Sequence, residues 1–168
     1  AHQSLVKQLA ARSVQRIYAA VCRGMLSGGG LVNAPIGRHP TVRTRMAVNE
    51  GGKPAITHYR IAERFSHHTS LSVSLETGRT HQIRVHLASR NNPLIGDPVY
   101  GGRPRPPAGA NTELQTALRT FSRQALHAQT LAFDHPATGQ RCQFETPLPD
   151  DLIQLLAVLR AHDTVASL

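Results

Sequence analysis

Two neighbouring stretches of the chain, residues 55–65 and 69–76, alternate apolar and polar positions and are rich in Ile, Val, Tyr and Thr. That period of two predicts strands half-covered by a core. The short link through Ser66, His67 and His68 predicts an antiparallel hairpin. Residues 16–25 alternate as well, around Ile17, Tyr18 and Val21, and predict an earlier strand. A second hairpin is predicted from residues 125–133 and 141–146, turning at 135–140. Helical spacing marks residues 4–15, with Ser4 as N-cap, then 80–90, stopped by Asn91-Asn92-Pro93, and a short segment at 114–121. A last helix opens at Pro149-Asp150-Asp151, acidic in its first turn as the helix dipole prefers, and runs to about Ala161. Gly28-Gly29-Gly30 reads as a turn, and the Pro/Gly-rich, basic residues 101–110 as a surface loop. Hairpins with interspersed helices predict an α+β fold: a mixed, largely antiparallel sheet with flanking helices.

Length and charge narrow this picture. The chain has 168 residues, enough for one domain with its own core, and residues 1–168 are read as one unit. Nineteen Lys plus Arg against ten Asp plus Glu give a net charge of +9, and lysine occurs only at Lys7 and Lys53. Arginine forks bind phosphate in pairs of hydrogen bonds and stack on bases, so an arginine-rich surface points to nucleic acid as partner. Cys22 and Cys142 lie far apart without a CxxC pattern and read as reduced, buried thiols of a cytoplasmic protein. No apolar run is long enough to predict a membrane span. The ten histidines are scattered, and no His-Glu-x-x-His occurs, so no metal is expected.

The densest polar cluster is Glu76-Thr77-Gly78-Arg79-Thr80-His81-Gln82-Ile83-Arg84-Val85-His86. A strand ends, a glycine turns and a helix starts, a junction that aims backbone N–H groups at an anion. On a helix from Thr80, Thr80 and Arg84 share a face, as do Arg79 and Ile83. By itself the segment fits a capped helix with a solvated basic face equally well. Glu76 reads as support for the turn or for an arginine, and Gly96-Asp97-Pro98 as turn chemistry.

The stretch Gly78 to His86 closely resembles the third motif of the RluA/RluD-type RNA pseudouridine synthases. Arg16-Ile17-Tyr18-Ala19-Ala20-Val21 resembles the second motif. Arg38-His39-Pro40, Gly52-Lys53-Pro54-Ala55-Ile56-Thr57-His58-Tyr59, Pro93-Leu94-Ile95-Gly96-Asp97-Pro98-Val99-Tyr100-Gly101-Gly102, Arg123-Gln124-Ala125-Leu126-His127-Ala128 and Pro147-Leu148-Pro149 follow in the family's order. Gly101-Gly102-Arg103-Pro104-Arg105-Pro106-Pro107 is especially like members acting on large-subunit ribosomal RNA. The resemblance implies a cofactor-free isomerase that flips a uridine out of RNA, breaks its N-glycosidic bond and rejoins the base through carbon. It implies Tyr18 and Arg84 as catalytic residues, Tyr18 packing on the base and Arg84 pairing with an essential aspartate. It implies Arg38, His39, Arg79, Thr80, His81, Gln82, Arg103 and Arg105 as RNA-binding residues. It also implies large-subunit ribosomal RNA as partner, with the helix 69 stem-loop as target, and a full-length enzyme that is monomeric.

The family's aspartate sits in a His-Arg-Leu-Asp motif ahead of the tyrosine strand, and no such motif occurs here. The chain is therefore expected to be the C-terminal portion of the domain, inactive alone, with an exposed sheet edge and apolar surface. Arg84 is expected to lack its carboxylate partner. A non-catalytic RNA-binding module is the alternative. A third reading is a two-histidine phosphoesterase, because His39-Pro40-Thr41-Val42 and His67-His68-Thr69-Ser70 both fit His-x-Thr-x.

Overall fold

The computed structural model describes residues 1–166, with side chains through Thr164. In chain order the elements are α1 (His2–Ala10), β1 (Gln15–Arg23), β2 (Gly30–Asn33), β3 (Ile36–Arg38), β4 (Met46–Val48), β5 (Ile56–Arg64), β6 (His68–Leu75), α2 (Gln82–Ser89), α3 (Thr112–Thr120), β7 (Leu126–Asp134), β8 (Arg141–Glu145) and α4 (Asp150–Ala166). Among the described residues, six strands form one sheet in the order β2-β5-β6-β1-β7-β8. Every neighbouring pair in it is antiparallel. β3 and β4 form a separate small hairpin. The fold is α+β, as the alternating hairpins predict.

The alternation along β1 divides the core. Tyr18, Ala20 and Cys22 point to one face and join Leu71 and Val73 of β6 and Ile83 and Leu87 of α2 in one apolar cluster. Val21 points to the other face, where Phe65, Ile95, Ala125 and the leucines of α3 and α4 pack. Leu152, Leu155, Leu156 and Leu159 fall at helical spacing on one face of α4 and are buried. Each fully buried leucine contributes about 2 kcal/mol of transfer free energy. α3 starts where Asn111 caps it, its side-chain carbonyl accepting from the Leu114 amide at 2.8 Å.

Short loop segments complete the sheet. The Arg23 amide donates to the Pro93 carbonyl, Ile95 N–H to Val21 O, and Ala125 N–H to Ile95 O. Residues 93–95 thus lie in the sheet plane beside the end of β1. They set Leu94 into one core and Ile95 into the other. Gly96 then turns with φ +68°, and a Cβ there would lie 2.2 Å from the Arg123 carbonyl oxygen, so only glycine fits.

The structure corrects several sequence expectations. α1 begins at His2 and ends at Ala10, and Ser4 is not its cap. Arg12 turns left-handed at φ 59°, which frees Gln15 to enter the sheet. Arg79 and Thr80 precede α2, whose N-cap is His81 at φ 56°, so they share no helix face with Ile83 and Arg84. β2, β3 and β4, each three or four residues long, are too short for alternation to reveal. α4 continues past Ala161 to Ala166. Cys22 is buried as expected, but Cys142 lies on edge strand β8 and is only partly covered. No helix among the described residues is long and apolar enough to cross a membrane.

Candidate active site

The Gly78 turn exists because an arginine needs the space. The Arg16 guanidinium reaches back along β1 to the Leu75 and Glu76 carbonyls, and a Cβ on Gly78 would lie 2.5 Å from Arg16 Nη1. Arg16 Nε is buried and makes no hydrogen bond among the described residues. Beside it, Glu76 accepts from Arg12 and shares a hydrogen bond with His58. The His58 bond first, and the Arg12 charge after it, hold the Glu76 carboxyl below the usual range. Glu76 is thus a support for an arginine, as its context suggests, and no free base.

Behind the turn runs a buried polar network. Thr77 Oγ1 accepts from the Ile56 amide and donates to Gln82 Oε1 at 2.8 Å. Gln82 Oε1 also accepts from the Arg79 amide, and Gln82 Nε2 donates to the Ile56 carbonyl and to Thr57 Oγ1. Thr57 Oγ1 meets His86 Nδ1 at 2.8 Å, and His86 Nε2 donates to the Ala34 carbonyl. Because Ala34 O can only accept, His86 carries its proton on Nε2 and takes the threonine hydrogen on Nδ1. Burial pushes the His86 imidazole down, which keeps it neutral in this role. Gln82 is 3% exposed. Its polar atoms are engaged in tying α2 to β5 and to the Arg79 amide.

Arg84 occupies the opposite side of α2. Its Nε and Nη2 donate to the two oxygens of Asp97, each at 2.8 Å, with side chains 10% and 0% exposed. Asp97 Oδ1 also accepts the Val99 and Tyr100 amides. Burial opposes the Asp97 charge, but the bonds from Arg84 and the two amides outweigh it and hold the carboxyl below its ordinary value. The same hydrogen bonds raise Arg84 against the opposing effect of burial. Arg84 lacks the family's aspartate, as expected from the sequence, yet it is not without a carboxylate, because Asp97 pairs with it. The Gly96-Asp97-Pro98 turn supplies that carboxylate, a relationship invisible in those three residues read by themselves.

Tyr100 gathers the remaining polar groups. Its ring lies under the Arg84 guanidinium, 4.9 Å from carbon to centroid, and edge-on to His81 at 5.6 Å. Its hydroxyl accepts from the Met46 amide at 3.0 Å and meets His81 Nδ1 at 2.9 Å. Burial first, then the Arg84 charge, push the His81 imidazole down, so it is neutral and accepts the tyrosine hydrogen. Through β4, Tyr100 draws the small hairpin, with Arg38 and His39, alongside α2. Arg38 and Thr80 are exposed there, while the His39 ring closes its own turn by accepting the Thr41 and Val42 amides. Arg79 is half-buried, its Nε on the Pro54 carbonyl. Arg103 and Arg105 stand exposed in a separate loop. Tyr100 and Arg16 are the two residues that sequence reasoning missed.

Tyr18 is partly buried and packs on the cluster that holds Ile83 and Leu87 of the Arg84 helix. A β-bulge falls beside it: Ile17 opposes Thr130 while Tyr18 opposes Ala128, leaving Gln129 as the extra residue. Bulges re-aim side chains at the rims of sheets. The phosphoesterase reading fails on geometry. The β3–β4 hairpin adjoins the start of β5, and His67 follows its end, so His39 and His67 are separated by roughly 25 Å of strand.

A bulged strand, a glycine turn and a buried arginine at the head of α2 define an α+β domain with a polar site at one end of its sheet. The chain belongs to the RNA pseudouridylate synthase family, whose model matches residues 1–89. It is 58% identical over 161 residues to the ribosomal large subunit pseudouridine synthase D of Pseudomonas aeruginosa, covering 95% of this chain and 50% of that protein. The synthase of the same name from Escherichia coli K12 is 54% identical over 96% of this chain and 49% of its own length. The chain spans about half the length of the curated relatives it matches. Two solved structures share the fold. Human RNA pseudouridylate synthase domain containing 4 has a TM-score of 0.74 at 23% identity, over 95% of this chain and 67% of that one. Human RNA pseudouridylate synthase domain containing 1 has a TM-score of 0.67 at 26% identity, over 95% and 71%.

Proposed function

We propose that this chain is the C-terminal part of the catalytic domain of a cytoplasmic, monomeric enzyme that isomerises uridines to pseudouridine in large-subunit ribosomal RNA, with the helix 69 stem-loop as target. The observation that carries the reading is Arg84, held nearly dry at the head of α2 with part of its fork unused. Nε and Nη2 are engaged by Asp97. The Nη1 edge retains donors for a second carboxylate, and a guanidinium with five N–H groups serves two such partners. That second carboxylate is the aspartate of the family's His-Arg-Leu-Asp motif, which this sequence lacks. Ionised beside Arg84, it would attack C1′ of the uridine sugar as the N1–C1′ bond breaks and leave again as C5 of the turned base bonds to C1′, while Tyr18 packs on the base and takes the proton from C5. Arg38, Arg79, Thr80, His81, Arg103 and Arg105 guide the strand. No metal or cofactor takes part.

The test joins this chain to the upstream segment of a synthase D bearing His-Arg-Leu-Asp and assays pseudouridine in large-subunit ribosomal RNA by chemical derivatisation and mass spectrometry. Isomerisation by the joined protein and none by the 168-residue chain is the expected result. Salt-sensitive RNA binding with no isomerisation by the joined protein would instead establish a non-catalytic RNA-binding module.

A further inference from the structure

A cavity with a volume of about 470 Å³ opens past the end of β1, beside the Arg84–Asp97 pair. Its floor is apolar: Leu94, Ile95, Leu118 and Phe121. Its rim carries four arginines, Arg23, Arg103, Arg105 and Arg119, brought together from β1, the 101–110 loop and the last turn of α3. Arg23 is anchored by a 2.6 Å bond from Nη2 to the Gly101 carbonyl, which leaves most of its donors open. Burial and then the neighbouring Arg105 cation both disfavour the Arg23 charge, so these cations crowd one another. Asp97 is the acid lining the cavity, and it does not offset them, since its oxygens are filled by Arg84 and two amides.

His68 adds a neutral polar group to the arginine rim. It faces Arg23 across the β1–β6 pairing and lines the cavity. The residue is only 3% exposed, and what access its ring has to solvent lies toward the cavity it lines. A ring held against a cavity in this way is a ready partner for whatever enters it. A neutral imidazole offers one N–H, which a phosphate oxygen accepts.

We propose that this cavity binds one nucleotide unit of an RNA strand, with its phosphate on Arg23, Arg105, Arg119 and His68 and its ring on the Leu118–Phe121 floor. It adjoins the Arg84–Asp97 pair, since Asp97 also lines the cavity, whereas Tyr18 does not. The assignment rests on the proposed RNA-binding role of the chain and adds Arg23, His68 and Arg119 to it. A nucleotide fits a cavity of this size, and an apolar floor with an aromatic ring suits base stacking. Free nucleotide or inorganic phosphate carries the same phosphate chemistry, so the ligand source is part of the test.

The experiment follows the His68 ring by NMR in the 168-residue chain while a fluorescent oligouridine, uridine monophosphate or inorganic phosphate is added. A shift of the His68 ring signals with oligouridine alone supports a strand site. A shift with the monophosphate or phosphate as well supports a site that also takes the free anion. Arg105→Glu with Arg119→Glu should weaken oligouridine binding by about tenfold or more and flatten its salt dependence. Arg119→Lys should restore part of it. Oligouridine that binds while the His68 ring stays unmoved and the double variant binds normally overturns the pocket but leaves the RNA-binding role intact. No response to any of the three ligands overturns both.

Discussion

Arg84 and Asp97 meet as a two-pronged ion pair, 2.8 Å on each prong, where the aspartate side chain has no exposed surface at all. Thirteen residues separate them in the chain. The pair is held from both ends: α2 presents the arginine, and the turn after Gly96 presents the carboxylate to it and to two amides. Breaking a buried pair on one side leaves the other charge stranded, which typically costs about 3–5 kcal/mol. Asp97→Asn should therefore lower stability by that order in urea unfolding. Arg84→Met combined with Asp97→Asn should cost less than the sum of the two single changes. A loss under about 1 kcal/mol for Asp97→Asn would show the pair to be weaker than its burial implies.

Tyr18 sits at the bulge of β1 and β7 and packs on the core behind α2. In the joined protein, Tyr18→Phe keeps the ring but removes the hydroxyl. Isomerisation should fall by about 100-fold or more, the range for a lost proton-transfer group, while RNA affinity stays within about twofold. Single-turnover rates and binding isotherms on the same RNA check this. Unchanged turnover would confine Tyr18 to packing.

His68 links stability to pH. Burial first, then the charges of His67 and Arg23, lower its pKa from 6.5 to about 4. The unfolded chain binds the proton more readily than the folded one between those values, so stability is full above about 6.5 and is lost as pH falls toward about 4. The upper limit of that loss is on the order of 3 kcal/mol, at about 1.4 kcal/mol per pH unit. His81 and His86, both lowered by burial, act in the same direction. Melting temperature should drop between pH 7 and 5, and His68→Gln should flatten the profile. An equal slope with and without the histidine would remove His68 as a cause.

Gly96 and Gly102 share φ +68° but differ in space. A Cβ on Gly96 meets the Arg123 and Phe121 carbonyls at 2.2 and 2.6 Å, whereas one on Gly102 meets nothing within 4 Å. Gly102→Ala should cost about 1 kcal/mol, from backbone strain alone. Gly96→Ala should cost several times more, because it also forces residues 93–95 out of the sheet plane. Chemical denaturation of the two variants separates strain from collision, and equal losses would contradict the collision.

The β8 edge presents apolar surface. Phe144 is 57% exposed and Leu131, its partner across β7, 42% exposed. An open strand with such a pair favours edge-to-edge contact. The chain should associate at raised concentration in sedimentation experiments, and Phe144→Lys should reduce that association. A concentration-independent monomer would remove the edge as a contact surface.

The outline of the fold was legible because alternation is a local property. The two hairpins, β1, the helix after the glycine turn and the leucine face of α4 all fall within a few residues of their predicted bounds. Short strands were not legible, since β2, β3 and β4 owe their extended form to partners elsewhere: Gly30 pairs with Tyr59, and Ile36 with Val48. The candidate site was legible only in part. Gly78 to His86 stood out as a polar cluster, and family resemblance singled out Tyr18 and Arg84. Within the cluster, however, Gln82 and His86 turn inward to brace α2, and Arg84 turns to Asp97.

The sequence by itself determined the α+β class, the basic character and the family, because composition, periodicity and ordered motifs are carried along one dimension. Only the tertiary structure decided what each polar residue of the motif touches. That depends on which groups the sheet brings together from distant segments: Arg16 under Gly78, Tyr100 beneath Arg84, Arg23 against His68. A hydrogen bond or ion pair forms between partners in space, and spacing along the chain does not specify it.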